Sequence, residues 1–129
     1  MSTIKTTTLS NLAGTSSIPT DTVINGSAKA WVNFNGTGTV AIRASFNVSS
    51  ITDNGTGDYT VNFTTAITDA NYSSVTGMSY SSLSACPTRT MTEYSPSRTA
   101  SSVRVISGYT FSGGFSTEDV DCLSVAIFR

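Results

Sequence analysis

The chain has 129 residues, a formal net charge of -1, 38% hydrophobic residues and 12% charged ones. That length suits one domain with a modest core, and the composition is too apolar for a disordered chain. The near-neutral balance excludes the positive field of a nucleic-acid binder, and no stretch reaches the length of a membrane-spanning helix.

Serine and threonine number 22 each, while leucine is scarce and Glu occurs only at Glu93 and Glu118. Threonine favours strands, serine favours turns and edges, and strong helix formers are rare. The opening segment lacks the basic-then-apolar layout of a secretory signal, so the mature chain is expected to begin at Met1.

Residues 1–26 are polar and low in complexity. Ile4, Leu9, Leu12, Ile18, Val23 and Ile24 are scattered without helical spacing. Such a segment has too few apolar residues to fold alone. It is expected to be an extended arm, either lying at the domain edge or packing on a partner subunit. Residues 27–129 then form the single folded domain.

From Ala28 the chain alternates. Ala28, Ala30, Val32 and Phe34 share one face and Trp31 points to the other. A turn at Gly36-Thr37-Gly38 leads into Val40, Ile42, Ala44, Phe46 and Val48, an alternation that predicts a strand with a core face. Arg43 and Asn47 fall on its opposite face. Asp53-Asn54-Gly55-Thr56-Gly57-Asp58 reads as a turn, because Asn-Gly favours positive φ. Tyr59, Val61 and Phe63 then resume the alternation. Residues 40–51 and 58–67 are therefore expected to pair as an antiparallel hairpin, the link being too short for a crossover helix.

Further on, a turn at Thr68-Asp69-Ala70 precedes a strand near Tyr72–Tyr80; a short helix over 69–76 is the other reading. Pro87 and Pro96 make residues 81–99 a surface loop or a pair of edge strands. Val103 and Val105 alternate with Arg104 and Ile106, and Ser112-Gly113-Gly114 is a turn. In the closing strand Cys122, Ser124, Ala126 and Phe128 face one way and Leu123, Val125 and Ile127 the other. With both faces partly apolar, that strand belongs inside a sheet or an interface. About six to eight short strands between glycine-rich turns predict an all-β fold, an antiparallel β-sandwich or flattened barrel.

Little in the chain suggests catalysis. It has no histidine, the commonest general base and metal ligand. The densest acidic run, Glu118-Asp119-Val120-Asp121, reads as a solvated turn, and Asp53 and Asp58 lack the ligand spacing of a calcium loop. No catalytic residues, cofactor or metal are expected. Cys86 and Cys122 are too few for a zinc site. They are read as buried thiols, with a disulfide as the other reading. Asn-x-Ser/Thr triplets at Asn25, Asn35, Asn47, Asn54, Asn62 and Asn71 follow from composition.

Aromatic residues offer the best binding expectation. Tyr80, Tyr94, Tyr109, Phe111 and Phe115 lie in or beside loops, where exposed rings suit sugar stacking or protein contact; the alternative is that they plug the ends of the core. Arg89 and Arg98 flank Tyr94, and Arg98 and Arg89 either bind an anionic glycan or pair with Glu93. A surface or receptor contact is accordingly assigned to Arg89, Tyr94, Arg98, Tyr109 and Phe111.

The runs KAWVNFNGTGTVAIR, SFNVSSITDNGTGDYTVNFT and DANY lie within residues 25–72. This block closely resembles a domain that recurs in tail-fibre and other virion proteins of tailed bacteriophages. The VRV segment and the final SVAIFR extend the similarity to about half the chain. The resemblance implies a structural virion protein, commonly trimeric, assembled in the host cytoplasm and found in the virion. It also implies other virion proteins as partners, reached through the arm, and a host-surface glycan or protein as a further partner. Trp31, Asn33, Asn35, Gly36, Asp53, Asn54 and Gly55 carry the motif and are read as structural, whereas receptor contact is expected in the 81–118 region. No fibrous shaft is expected ahead of the domain. The expectation is therefore a small tail-fibre or baseplate-associated subunit, with a head decoration protein or a glycan-binding receptor module as alternatives.

Overall fold

The computed structural model describes residues 2–80 and 88–129, the side chain of Ser95 excepted. Among them are eleven strands, all in antiparallel sheets, with no closed barrel. The all-β sandwich anticipated from composition and alternation is the architecture found.

The arm is a structure of its own. Strands β1 (Thr8–Ser10) and β2 (Ser17–Pro19) form a two-stranded hairpin that sets Leu9 opposite Ile18. Helix α1 (Thr20–Gly26) follows, with Asp21 in its first turn, where a carboxylate suits the helix dipole. The spacing of apolar residues gave no sign of this helix. The reason is physical: α1 buries nothing, so it needs no apolar stripe.

The body begins at Ala28 and holds two sheets. One has the order β4 (Ala41–Phe46), β3 (Ala28–Asn35), β11 (Cys122–Phe128) and β7 (Ser73–Ser79). The other runs β5 (Val48–Gly55), β6 (Asp58–Phe63), β9 (Ser102–Phe111). Past Ser107, β9 pairs with β10 (Gly114–Thr117), while β8 (Arg89–Glu93) runs along its 105–109 stretch. The strand expected near Tyr72–Tyr80 is β7, and the alternative of a short helix over 69–76 is not adopted. Pro96 sits in a 3₁₀ turn at Ser95–Ser97, just after β8, which lies at a sheet edge as expected of 81–99; residues 81–87 of that stretch, Pro87 included, lie outside the described ones.

Between the sheets lies one core. Ala30, Val32 and Phe34 come from β3, Tyr59, Val61 and Phe63 from β6, Val103 and Val105 from β9, and Leu123, Val125 and Ile127 from β11. Each set is the apolar half of a period-2 pattern. Phe34 meets Tyr59 edge to face, with ring centroids 5.3 Å apart.

The run from Val40 to Val48 corrects the sequence reading. It is not one strand with a core face. β4 pairs with β3 in the first sheet, and the hairpin partner of β6 is β5 alone. All six residues of β4 are exposed, with Ile42 and Phe46 among them. A bulge opposite Asn33 and Phe34 also resets the register within β4. Between the strands, Asn47 adopts φ 55°, the left-handed region that L-residues rarely occupy. It passes the chain from one sheet to the other.

Asn47 holds that corner with its own side chain. Its Nδ2 donates to the carbonyls of Lys29 and Thr65, each at 3.0 Å, and its Oδ1 accepts the Thr65 N–H at 2.8 Å. The opposite seam is closed by side chains from β7 and β8. Thr76 Oγ1 donates to the Met91 carbonyl at 2.9 Å, and Ser74 Oγ donates to Glu93.

Candidate functional site

The two sheets turn different outer faces to solvent. On the five-stranded side the face is polar and internally satisfied. Asn62 Nδ2 donates to Ser50 Oγ and Thr52 Oγ1, at 3.1 and 2.9 Å. Asn54 Nδ2 donates to Asp58 Oδ1 and Thr60 Oγ1, at 3.2 and 2.9 Å. Arg104 Nε donates to Asp58 Oδ1 at 2.7 Å. Its guanidinium holds the Asp58 carboxyl below the usual carboxylate range.

On the four-stranded side the middle of the face carries two uncharged rows, with Lys29 of β3 and Arg43 of β4 lying outside them. One row crosses all four strands: Phe46 opposite Trp31, Trp31 opposite Ala126, Ala126 opposite Val75. The next row reads Ala44, Asn33, Ser124 and Gly77. None of these eight residues bears a charge. Phe46, Trp31 and Val75 are 56%, 41% and 57% exposed, far more than three large side chains in a core would be. The central strand presents only small residues here, between Trp31 on one side and Val75 on the other. A shallow groove of about 250 Å³ results. An exposed apolar patch rimmed by polar groups is the usual mark of an interaction surface.

Alternation had turned Trp31 away from the core and assigned the terminal strand to a sheet interior or an interface. β11 does lie inside a sheet. That its outer residues join Trp31, Phe46 and Val75 in one patch depends on strand order, and no local pattern carries it.

The residues assigned to receptor contact fall in three places. Arg89 lies between the rings of Tyr80 and Tyr109, its guanidinium carbon 4.8 and 4.9 Å from their centroids, and its Nε donates to Glu118 at 2.9 Å. Tyr109 and Phe111 have centroids 6.0 Å apart, so Arg89, Tyr109 and Phe111 form one cluster at an end of the sandwich. Tyr94, 46% exposed, is stacked with Arg104 on the polar face. Arg98 is directed into the seam between β7 and β8. There it binds Glu93, donates to the Tyr72 carbonyl at 2.6 Å and covers the Tyr72 ring. Of the two roles open to Arg98, pairing with Glu93 is the one adopted. Burial works to raise the Glu93 carboxyl, but the bonds from Arg98 and Ser74 outweigh it and hold Glu93 below its ordinary value. Burial, with Glu93 nearby, pushes the Tyr72 hydroxyl up to about 12.

The acidic run is not a simple solvated turn. Glu118 binds Arg89 and accepts from Tyr80 at 2.9 Å. Asp119 Oδ1 accepts the buried Tyr59 hydroxyl and the Gly57 N–H, both at 2.7 Å. Val120 is buried, and its carbonyl accepts the Gly36 N–H at 2.9 Å. The run plugs one end of the sandwich. Burial, reinforced by Asp119, pushes the Tyr59 hydroxyl well above its ordinary range.

Among the described residues Cys122 has no disulfide partner; it is half-buried rather than buried, and its Sγ lies 3.3 Å from the Asn33 amide nitrogen. Cys86 lies outside the described residues, so the alternative of a disulfide does too. Among the described residues, no three His, Cys, Asp or Glu side chains are grouped to hold a metal ion.

Comparison with protein-family models, curated proteins and solved structures finds no match for this chain.

Proposed function

We propose that this chain is a structural protein of a tailed-bacteriophage virion, a small tail-fibre or baseplate-associated subunit that works by contact rather than catalysis. The bacteriophage assignment rests on the resemblance of residues 25–72. The contact role is supported by one observation above the others: a sheet face whose central rows are uncharged and whose Trp31, Phe46 and Val75 are exposed, with a shallow groove between them. A particle component must offer neighbours a surface that buries without stranding a charge.

The charge layout favours the same reading over an enzyme. Asp58, Asp69, Glu93 and Glu118 are each bonded to an arginine, and the sequence has no histidine to act as a base. Glycan binding is the second reading, and the exposed rings of Tyr94, Phe111 and Phe115 favour it. Arg89 and Arg98 are already engaged with carboxylates and rings, so the tyrosine and phenylalanine faces would carry such binding.

Locating the chain in a reconstruction of the particle tests the proposal. A small cluster of copies at the tail or an appendage is the expected result. Hundreds of copies on the capsid surface would make it a head decoration protein, and absence from purified particles would end the virion reading. A glycan array answered by Tyr94→Ala would favour the receptor module.

A further inference from the structure

We infer that the outer face of the β4-β3-β11-β7 sheet is the seat of the N-terminal arm of a second copy of this chain. The inference deepens the contact role proposed above and names its partner.

Among the described residues, two parts of the molecule lack a partner. The arm, residues 2–27, is exposed at every position but Thr20, and α1 buries nothing. Even so it is ordered as a hairpin and a helix, and it presents Leu9, Leu12, Ile18, Val23 and Ile24 to solvent. The sheet face presents Phe46, Trp31 and Val75.

Their chemistry is matched. The eight residues in the two rows of the face are uncharged, and so is every residue from Thr6 to Thr20 in the arm. Burying the Thr6–Thr20 stretch against these two rows strands no ion, which is what the centre of a stable interface requires. The polar sheet opposite, with Arg104 and Asp58, would lack that match.

Size also selects an arm over a bare face. Four strands about 4.8 Å apart, seven residues long at about 3.3 Å each, give a face of about 440 Å². Measured flat, two such faces total about 900 Å², against the roughly 1,200 Å² of accessible surface at which stable interfaces begin. An arm from the neighbour adds the missing surface. Its reach fits: seven helical residues at about 1.5 Å and a three-residue strand at about 3.3 Å extend about 20 Å, close to the length of the face, with Asp21 the one charge among them. α1 leads directly into Ala28 at the start of β3, so each arm leaves from an end of the face its neighbour's arm would cover.

Trp31 is the sole tryptophan and lies in the middle of the proposed contact, which makes it the reporter. The full-length chain is examined by light-scattering mass and by acrylamide quenching of tryptophan emission, beside Leu9→Asp/Ile18→Asp and Phe46→Asp. The expected wild-type mass is a multiple of 13.5 kDa. Quenching of Trp31 should fall by about half or more relative to either variant, since 41% of the residue is exposed in the isolated chain. Both variants should be monomers with Trp31 accessible. All these positions lie outside the core, and an unchanged melting curve measured on dilute monomer confirms that the variants fold.

Three results would overturn the inference. A wild-type monomer with accessible Trp31 means that the chain does not bind itself. A shielded Trp31 in a monomer means that the arm folds onto its own face. An oligomer that survives Leu9→Asp/Ile18→Asp with Trp31 still shielded means that another surface covers the patch. None of these bears on whether the chain is found in particles, so the two proposals fail separately.

Discussion

The corner at Asn47 makes a quantitative prediction about how the two sheets are joined. Replacing Asn47 removes three side-chain hydrogen bonds, to the Lys29 and Thr65 carbonyls and from the Thr65 N–H. Each is worth about 1 kcal/mol when shielded, but those to Thr65 lie in exposed surroundings where water replaces part of the loss. The sum is then about 2 kcal/mol. Asn47→Gly keeps φ 55° accessible and adds roughly 0.5–1 kcal/mol of chain entropy, for a total near 3 kcal/mol. Asn47→Ala loses the same bonds and forces a Cβ into the left-handed region, about 1–2 kcal/mol, for a total near 3.5 kcal/mol. Asparagine should therefore be the most stable and alanine the least, with glycine between them. At roughly 4 °C per kcal/mol the midpoints should fall by about 12 and 14 °C, so the order is best read from urea curves at constant slope. An Asn47→Gly variant as stable as wild type would refute the side-chain account. Alanine equal to or better than glycine would refute the backbone account.

Other outcomes follow from the plugged end and the seam. Tyr59→Phe keeps the contact with Phe34 but loses the hydroxyl bonded to Asp119 and Gly36, and should cost about 2 kcal/mol in urea unfolding; a loss under about 0.5 kcal/mol would mean that the bond contributes nothing net. Gly57→Ala places a Cβ 2.4 Å from the Ser107 carbonyl and 2.6 Å from the Glu118 nitrogen at φ +66°, and should cost about 3 kcal/mol or more. Gly38→Ala, at φ +62° in open space, should cost only about 1–2 kcal/mol, so equal thermal shifts for the two would contradict the packing. Because the folded Glu93 carboxyl is held below its ordinary value near 4.5, its bonding stabilises the fold above that pH and is lost as pH falls through the folded value. Melting temperatures taken from neutral to acid pH should therefore converge for wild type and Glu93→Gln, and curves that stay parallel would remove Glu93 from the acid response.

How much of the fold could be read from residues alone depends on whether the signal was local. Tyr59, Val61, Phe63 and Val103 announce their buried face because each is flanked by polar residues on the other, and Val105 follows the same period beside Arg104. The hairpin turn is legible for the same reason, although it closes at Thr56-Gly57 and leaves Asn54-Gly55 at the end of β5: positive φ at Gly55 and Gly57 is supplied locally, by residue type. The pattern misled at Val40 to Val48, where alternation spans two strands in two sheets. Nothing in five alternating apolar residues records that β4 lies at an edge, with its side chains exposed. The helix at 20–26 was silent because it rests on no surface.

The candidate contact surface divides along the same line. Sequence by itself determined an all-β chain without histidine, a polar arm ahead of a folded body, and a tryptophan turned away from the core. Those properties are set by residue type and by the period-2 geometry of a strand. Tertiary structure alone decided that Phe46, Trp31, Ala126 and Val75 would form one row, since they come from four strands whose order is not their order in the chain. It also decided that Arg98 would meet Glu93 beneath the Tyr72 ring and that Asp119 would cap Tyr59. Pairing between distant strands brings these side chains together, and that pairing follows from burying the whole core at once rather than from any segment's own preference.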